Sequence, residues 1–154
     1  MIRFVLYDTA SERIPLELEI RYIEQYIALQ KIRTRTSDFI QFDVQGDITE
    51  SQIAPMLFIP FIENAFKHAS NKKISQGIII SILINGGCIE FSCSNVFDAN
   101  HQIDHTNQGL GLALIKKRLD LIYQNRYTLK IEEKQGRFLV NLQLNLNEDT
   151  LHYS

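Results

Sequence analysis

An α+β two-layer sandwich, with helices packed on one mixed, mostly antiparallel sheet, is the fold class this sequence predicts. Apolar residues recur at helical spacing in three separate stretches, and two pairs of apolar runs are each joined by a short glycine-containing turn. A further alternating run stands between the first two helical stretches, so strands and helices are mixed without a regular crossover rhythm. The 154 residues, 45% hydrophobic and 22% charged, suffice for one sizeable core and are short for two full domains.

Pro15 at a first-turn position, followed by Glu17 and Glu19 near the positive end of the dipole, marks the first helix start. Leu16, Ile20, Ile23 and Ile27 follow at helical spacing, with Tyr22, Tyr26 and Leu29 widening the stripe, which predicts an amphipathic helix from Pro15 to about Arg33. After the polar break Arg33-Thr34-Arg35-Thr36, Ile40, Phe42 and Val44 alternate with Gln41 and Asp43 as a half-buried strand does, and Gly46-Asp47 closes it. Pro55 to about Ser70 is the second predicted helix, with Pro60 in its first turns. Ile78 to Ile84, the turn Asn85-Gly86-Gly87, and the alternation of Ile89, Phe91 and Cys93 with polar neighbours make a hairpin. Val96 to Gln108 reads as a polar loop long enough to point to function. Leu112, Ile115, Leu119 and Ile122 then restore helical spacing. Leu129 and Ile131, the turn Gln135-Gly136, and Phe138 to Leu146 form a second hairpin, and Asn147 to Ser154 reads as a frayed tail.

Sixteen Lys and Arg against eighteen Asp and Glu leave a net charge of -2 with no long run of one sign. That balance argues against a general phosphate-backbone or anionic-membrane binder, and no nucleic-acid partner is expected. No stretch reaches the ~18 continuous apolar residues of a membrane span. Met1 to Leu6 is too short for a secretory hydrophobic region. Cys88 and Cys93, in one predicted strand, are too few for a disulfide framework or a zinc site and are expected as reduced, buried thiols. His101, Asp104 and His105 cluster possible metal donors, but no further ligand is spaced to close a site, which favours a polar loop.

The chemistry concentrates on the second helix. At ~100° per residue, Glu63, Asn64, Lys67 and His68 share an arc of roughly 140°, while Phe61, Ile62, Ala65, Phe66 and Ala69 fill the other side. An acid, an amide, a base and an imidazole thus stand on one face. A solvated surface with a Glu63/Lys67 pair at i, i+4, worth only ~0.2 to 0.5 kcal/mol, has the same pattern. Gly109-Leu110-Gly111-Leu112, after the polar loop and at the expected start of the third helix, lets backbone N–H groups approach a phosphate where the helix dipole favours negative charge. It equally suits a flexible helix entry, and it is neither a dinucleotide fingerprint nor a P-loop.

Taken together, Pro60-Phe61-Ile62-Glu63-Asn64-Ala65-Phe66-Lys67-His68, the hairpin, the polar loop, and Gly109-Leu110-Gly111-Leu112 with Lys117-Arg118-Leu119 resemble the ATP-binding domain of LytS-type sensor histidine kinases, members of the GHKL ATPase superfamily. Upstream, Phe4 to Asp8, Pro15-Leu16 and Glu24 to Gln30 resemble that family's segment between phosphoacceptor region and catalytic domain, so the likeness covers about Arg3 to Leu146. It implies an α/β sandwich with a nucleotide lid, ATP and Mg2+ as cofactors, and protein-histidine kinase activity. Carried over by position, Asn64 would hold the magnesium ion that bridges the phosphates, Lys67 would lie near those phosphates, and His68 would border the nucleotide. Glu63 would be the catalytic acid that polarises the incoming imidazole or a water, and Gly109 and Gly111 would meet the phosphates where lid joins helix. An amide oxygen is a suitable hard ligand for magnesium, and phosphoryl transfer needs positioning and charge neutralisation.

Two positions depart from the family pattern. Asn95, in Ser94-Asn95-Val96-Phe97, stands where the family has the Asp that reads the adenine amino group, so it can still accept that hydrogen bond but without charge assistance. Leu114 replaces a common polar residue after the second glycine motif. The family's Asn-Pro-His-Phe phosphoacceptor context surrounds none of His68, His101, His105 or His152. The resemblance therefore implies three parts: residues 1–14 as a remnant of the upstream dimerisation and phosphoacceptor region, residues 15–147 as the catalytic domain, and residues 148–154 as a tail. It also implies a parent that is a homodimeric sensor in the cytoplasmic membrane, with this domain on the cytoplasmic side. Its partners would be its own upstream phosphoacceptor domain and a response regulator. A nucleotide-sensing pseudokinase, binding without transfer, is the alternative.

Overall fold

The chain folds in the order β1 (Ile14–Pro15), α1 (Leu16–Arg33), β2 (Ile40–Gln45), β3 (Gln52–Ile53), α2 (Ile59–His68), β4 (Ile78–Asn85), β5 (Cys88–Val96), α3 (His105–Tyr123), β6 (Tyr127–Lys134) and β7 (Arg137–Asn145). This computed structural model describes residues 13–34, 38–69, 76–97 and 105–146, without the side chains of 105–110. The five-stranded sheet has the order β2-β4-β5-β7-β6. Its β2–β4 pair is parallel and the other three are antiparallel. The expected mixed, mostly antiparallel sheet is thus present, and the two hairpins are its β4–β5 and β6–β7 pairs.

Register explains why one face of the sheet is a core. Phe42 pairs with Ile80, Ile80 with Cys93, Cys93 with Val140 and Val140 with Ile131, so one row of apolar residues crosses every strand. A second row runs through Val44, Ile82, Phe91, Leu142 and Leu129. Period-two alternation sends Asp43, Ser81, Ser92 and Asn141 to the opposite, solvent-facing side. Leu16, Ile20, Ile23 and Ile27 of α1, Phe61, Ile62 and Phe66 of α2, and Leu119 and Ile122 of α3 join the covered face in one cluster. Gly86 and Gly87, at φ 56 and 87, supply the positive dihedrals of a two-residue hairpin turn.

Four local expectations are corrected. Helix α2 starts at Ile59, not Pro55, because Met56 lies at φ 57 and the preceding turn gives its amides to side chains elsewhere. Helix α3 starts at His105, inside the segment expected as loop. Nothing in His105-Thr106-Asn107-Gln108 breaks a helix, and a glycine inside one costs only about 1 kcal/mol. Leu29 is 62% exposed, so the apolar stripe of α1 is narrower than expected. Cys93 is buried as expected, but Cys88 at the hairpin end is exposed; both thiols are free. The two-residue strands β1 and β3, paired antiparallel, are too short for a periodic signal. The proposed segment 1–14 for all but its last two residues, the tail 148–154, and His101 and Asp104 lie outside the described residues.

Candidate functional site

Helix α2 is built from its apolar side outward. Phe58, just before its first turn, stacks on Phe91 of β5 with ring centroids 4.6 Å apart, and Phe61 lies 5.9 Å from the same ring. Two residues along β5, the Cys93 thiol reaches the Phe61 carbonyl at 4.0 Å. With the inner side pinned to the sheet, Glu63 and Lys67 are exposed and Asn64 and His68 half-buried. The structure thus brings all four onto the open face of one helix.

Asn95 follows Phe91 and Cys93 on the same face of β5 and is 2% exposed. Its side-chain amide donates to the Val96 carbonyl at 3.1 Å, so its acceptor is the amide oxygen. The strand end is held firmly. Arg137 of β7 donates to the Ser94 hydroxyl at 3.1 Å and to the Gln76 carbonyl at 3.0 Å, and Val96 N–H donates to the Gly77 carbonyl at 2.9 Å.

Gly109 and Gly111 fall within the first two turns of α3, not at its start. A Cβ on Gly111 would meet nothing within 4 Å, so packing within the chain does not require glycine there. Leu114 is 61% exposed on the same helix.

The turn between β3 and α2 satisfies its backbone through side chains from distant elements, a role no motif announced. Glu19 of α1, with 0% exposure, accepts the Met56 N–H at 3.0 Å on one carboxylate oxygen and the Phe58 N–H at 3.2 Å on the other. Arg118 of α3 donates to the Met56 carbonyl at 3.1 Å and to the Pro55 carbonyl, and the Tyr123 hydroxyl accepts the Ala54 N–H at 3.0 Å. Burial raises the Glu19 carboxyl above its usual range, opposed by the amides of Phe58, Met56 and Leu57 and by Arg118. Burial likewise lowers Arg118, opposed by Glu19 and Tyr123. The sequence signal was present: Glu19 lies three residues from Leu16 and four from Ile23, on the buried stripe and not on the solvent side.

No family model matches the chain. Among curated relatives, an uncharacterised sensor-like histidine kinase of Staphylococcus epidermidis is 36% identical over 113 residues, 68% of this chain and 22% of that protein. The sensor protein LytS of Staphylococcus saprophyticus is 24% identical over 144 residues, 85% of this chain and 24% of that protein. The chain is a relative of the LytS-type sensor histidine kinases. It spans about a quarter of the length of the curated relatives it matches. Among solved structures, the catalytic domain of histidine kinase ThkA superposes with a TM-score of 0.59 at 13% identity, over 88% of this chain and 95% of that one. ThkA in complex with response regulator TrrA gives 0.58 at 12% identity, over 96% and 47%. The fold is that of a histidine kinase catalytic domain, as the resemblance implied.

For a LytS relative, a magnesium–nucleotide complex is the group to be fitted. Among the described residues no set of three or more His, Cys, Asp or Glu could hold a metal ion by itself. One half-buried amide oxygen on Asn64, with Lys67 one turn on and open space at Gly111, suits a cation that brings most of its ligands as phosphate and water. The donor set fits. Tyr26 of α1, at the wide edge of its apolar stripe, lies beside this helix, its ring 5.4 Å from Phe66 in T-shaped contact. Burial raises its hydroxyl pKa, and the Glu63 charge raises it further.

Burial, and secondarily Lys67, lowers the His68 imidazole below 6.5. In an NMR titration His68 should therefore titrate below the free value, and Lys67→Ala should move it part of the way back, since burial is the larger cause. An unmoved midpoint in Lys67→Ala would remove that charge from the His68 environment. The linked stability has a definite sign: a base depressed in the fold binds fewer protons there, so stability is lost as pH falls from ~6.5 through the folded value.

Proposed function

We propose that this chain is the ATP-binding catalytic domain of a two-component sensor kinase, presenting the ATP γ-phosphate to a phosphoacceptor histidine elsewhere in its parent protein. The observation that carries this reading is the open polar face of α2, Glu63, Asn64, Lys67 and His68, on the same side of the sheet as the buried amide of Asn95. Magnesium, when bound with ATP, neutralises phosphate charge. Asn64 offers it an amide oxygen, Lys67 places a cation beside the phosphates, and Gly109 and Gly111 allow close backbone approach. Asn95 accepts from the adenine amino group. Glu63, exposed one residue before Asn64, draws the proton side of an incoming imidazole. A response regulator as partner is supported by the ThkA–TrrA complex, and a sensor protein as parent by the sensor proteins the chain is related to; that this parent is a homodimer in the cytoplasmic membrane belongs to the same proposal. Within the chain itself no described helix is long and apolar enough to cross a membrane.

The direct experiment is calorimetric titration with ATP and ADP, each with and without magnesium. Tighter ATP binding in magnesium is the expected result; no binding of either nucleotide overturns the proposal. With a phosphoacceptor region supplied, Glu63→Gln should slow phosphoryl transfer by about 10²-fold or more while ATP affinity changes little, since proton removal is exercised in the transition state. Equal losses in both would instead assign Glu63 to ground-state binding.

Asn95→Asp should raise the preference for ATP over GTP by about 1 kcal/mol, the size of a charge-assisted hydrogen bond partly offset by desolvation. A carboxylate repels the guanine carbonyl that an amide tolerates. Competition of ATP and GTP at fixed magnesium measures it, and an unaltered preference places adenine recognition elsewhere.

A further inference from the structure

Five backbone groups of the turn between β3 and α2 are taken by three side chains: Ala54 N–H by Tyr123, Met56 and Phe58 N–H by Glu19, and the Pro55 and Met56 carbonyls by Arg118. Buried backbone polar groups must find partners, and a turn that buries Ala54, Pro55 and Leu57 finds them in these side chains. The residue at its centre, Met56, holds a positive φ of 57, a left-handed conformation that a helix cannot continue through. Two residues on, the Phe58 carbonyl accepts the first amides of α2, from Phe61 at 3.1 Å and Ile62 at 3.2 Å. The turn therefore sets where α2 begins and how it is rotated about its axis.

The partners come from both flanking helices. Glu19 reaches in from α1, and Arg118 from α3, two turns beyond Gly111. A carboxylate is suited to its task because each oxygen accepts one amide, whereas a neutral amide side chain of the same shape would turn an NH2 group against one of the two donors. Burial of a guanidinium beside the turn is also matched by the Glu19 charge. On the same face of α1, seven residues later, Tyr26 packs on Phe66 near the far end of α2. Helix α1 thus indexes α2 at both of its ends.

We propose that Glu19 is a positioning residue for the nucleotide site: together with Arg118 it locks the Pro55–Phe58 turn, and so keeps the helix bearing Asn64 in fixed relation to the helix bearing Gly109 and Gly111. The functional half of this inference rests on the nucleotide reading above; the geometric half does not. Glu19 touches neither nucleotide nor metal in this scheme and acts only through the turn.

The test is Glu19→Gln in the 154-residue chain, read by amide hydrogen exchange and by calorimetry with ATP and magnesium. Exchange at Met56, Phe58, Phe61 and Ile62 should accelerate about tenfold or more, as expected when a buried amide loses its acceptor. Amides of Cys93 and Leu142 in the central sheet should keep their protection, and the Kd for magnesium-ATP should rise by about tenfold. Equal acceleration at every amide would reduce Glu19 to a general core contributor and overturn the proposal, as would unchanged exchange at Met56 and Phe58. Local acceleration with unchanged affinity overturns the functional half. Local acceleration in a protein whose wild type binds no magnesium-ATP leaves the clamp standing and overturns the nucleotide reading instead. Should Glu19→Gln fail to fold, Arg118→Gln probes the same turn from α3, and the same local signature at Met56 and Phe58 is required.

Discussion

Asn64→Ala should abolish the magnesium-dependent part of ATP binding, weakening the magnesium-ATP complex by at least about tenfold, the smaller loss seen even when a group merely supporting a metal ligand is removed. Asn64 sits half-buried at the edge of the open side of α2, about 60° around the helix from Phe61, so its truncation removes a partly exposed amide and no core side chain. Circular dichroism and the unfolding midpoint should accordingly match the wild type. Affinity for ATP without magnesium should change by less than the magnesium-dependent loss, because only the metal contact is removed. A variant that still responds to magnesium as the wild type does would take Asn64 out of the site.

Phe91→Ala should cost about 3 to 5 kcal/mol of stability, within the range for removing a fully buried aromatic ring. Phe91 is 1% exposed at the centre of β5, stacked on Phe58 and tilted against Phe61, so its ring supports both the end of the turn and the inner side of α2. Because whole domains are stable by only ~5 to 15 kcal/mol, urea unfolding should show a large fall in midpoint, while Ser92→Ala on the opposite face should stay within ~0.5 kcal/mol. ATP binding should be lost by Phe91→Ala only in proportion to the unfolded fraction, and loss from a fully folded variant would mean that α2 shifts when its support is removed. A small change in midpoint would show that Phe58 and Phe61 collapse into the space.

The two hairpins and the long helix α1 were legible because their signals are local. Ile78 to Ile84 is an apolar run broken only by Ser81, two glycines follow it in the turn, and the register of β4 with β5 follows from that turn. The polar face of α2 was legible for the same reason, since four residues within six positions fall on one arc of a helix. Asn95 was not: a lone amide at a strand end means nothing until the resemblance supplies a place for it, and only burial beside the Cys93 row shows which side of the sheet it joins. The start of α2 was misjudged because Pro55 to Phe58 has helical composition, and what prevents a helix there comes from Glu19, Arg118 and Tyr123, all more than thirty positions away. The early start of α3 was missed because His105 to Gln108 carries no apolar period, although nothing in it opposes a helix. Comparing amide protection in the turn and in the hairpins would separate these two kinds of signal, one written along the chain and one created only when its ends meet.

Among the described strands the single parallel pairing, β2 with β4, has a kinetic consequence. Helix α2 lies inside the crossover between Gln45 and Ile78 and docks on β5 of the neighbouring hairpin, with Phe58 and Phe61 against Phe91, whereas the parallel pairing needs those distant strands to meet. Hairpins such as β4–β5 and β6–β7 close in about 1 to 10 μs, whereas non-local pairings must first overcome loop-closure entropy and are slow. The two hairpins can thus form early, and the turn gripped from both flanking helices comes last. Competence to bind a nucleotide then marks the end of folding, and recovery of ATP binding in a stopped-flow refolding experiment should lag the return of β-sheet signal.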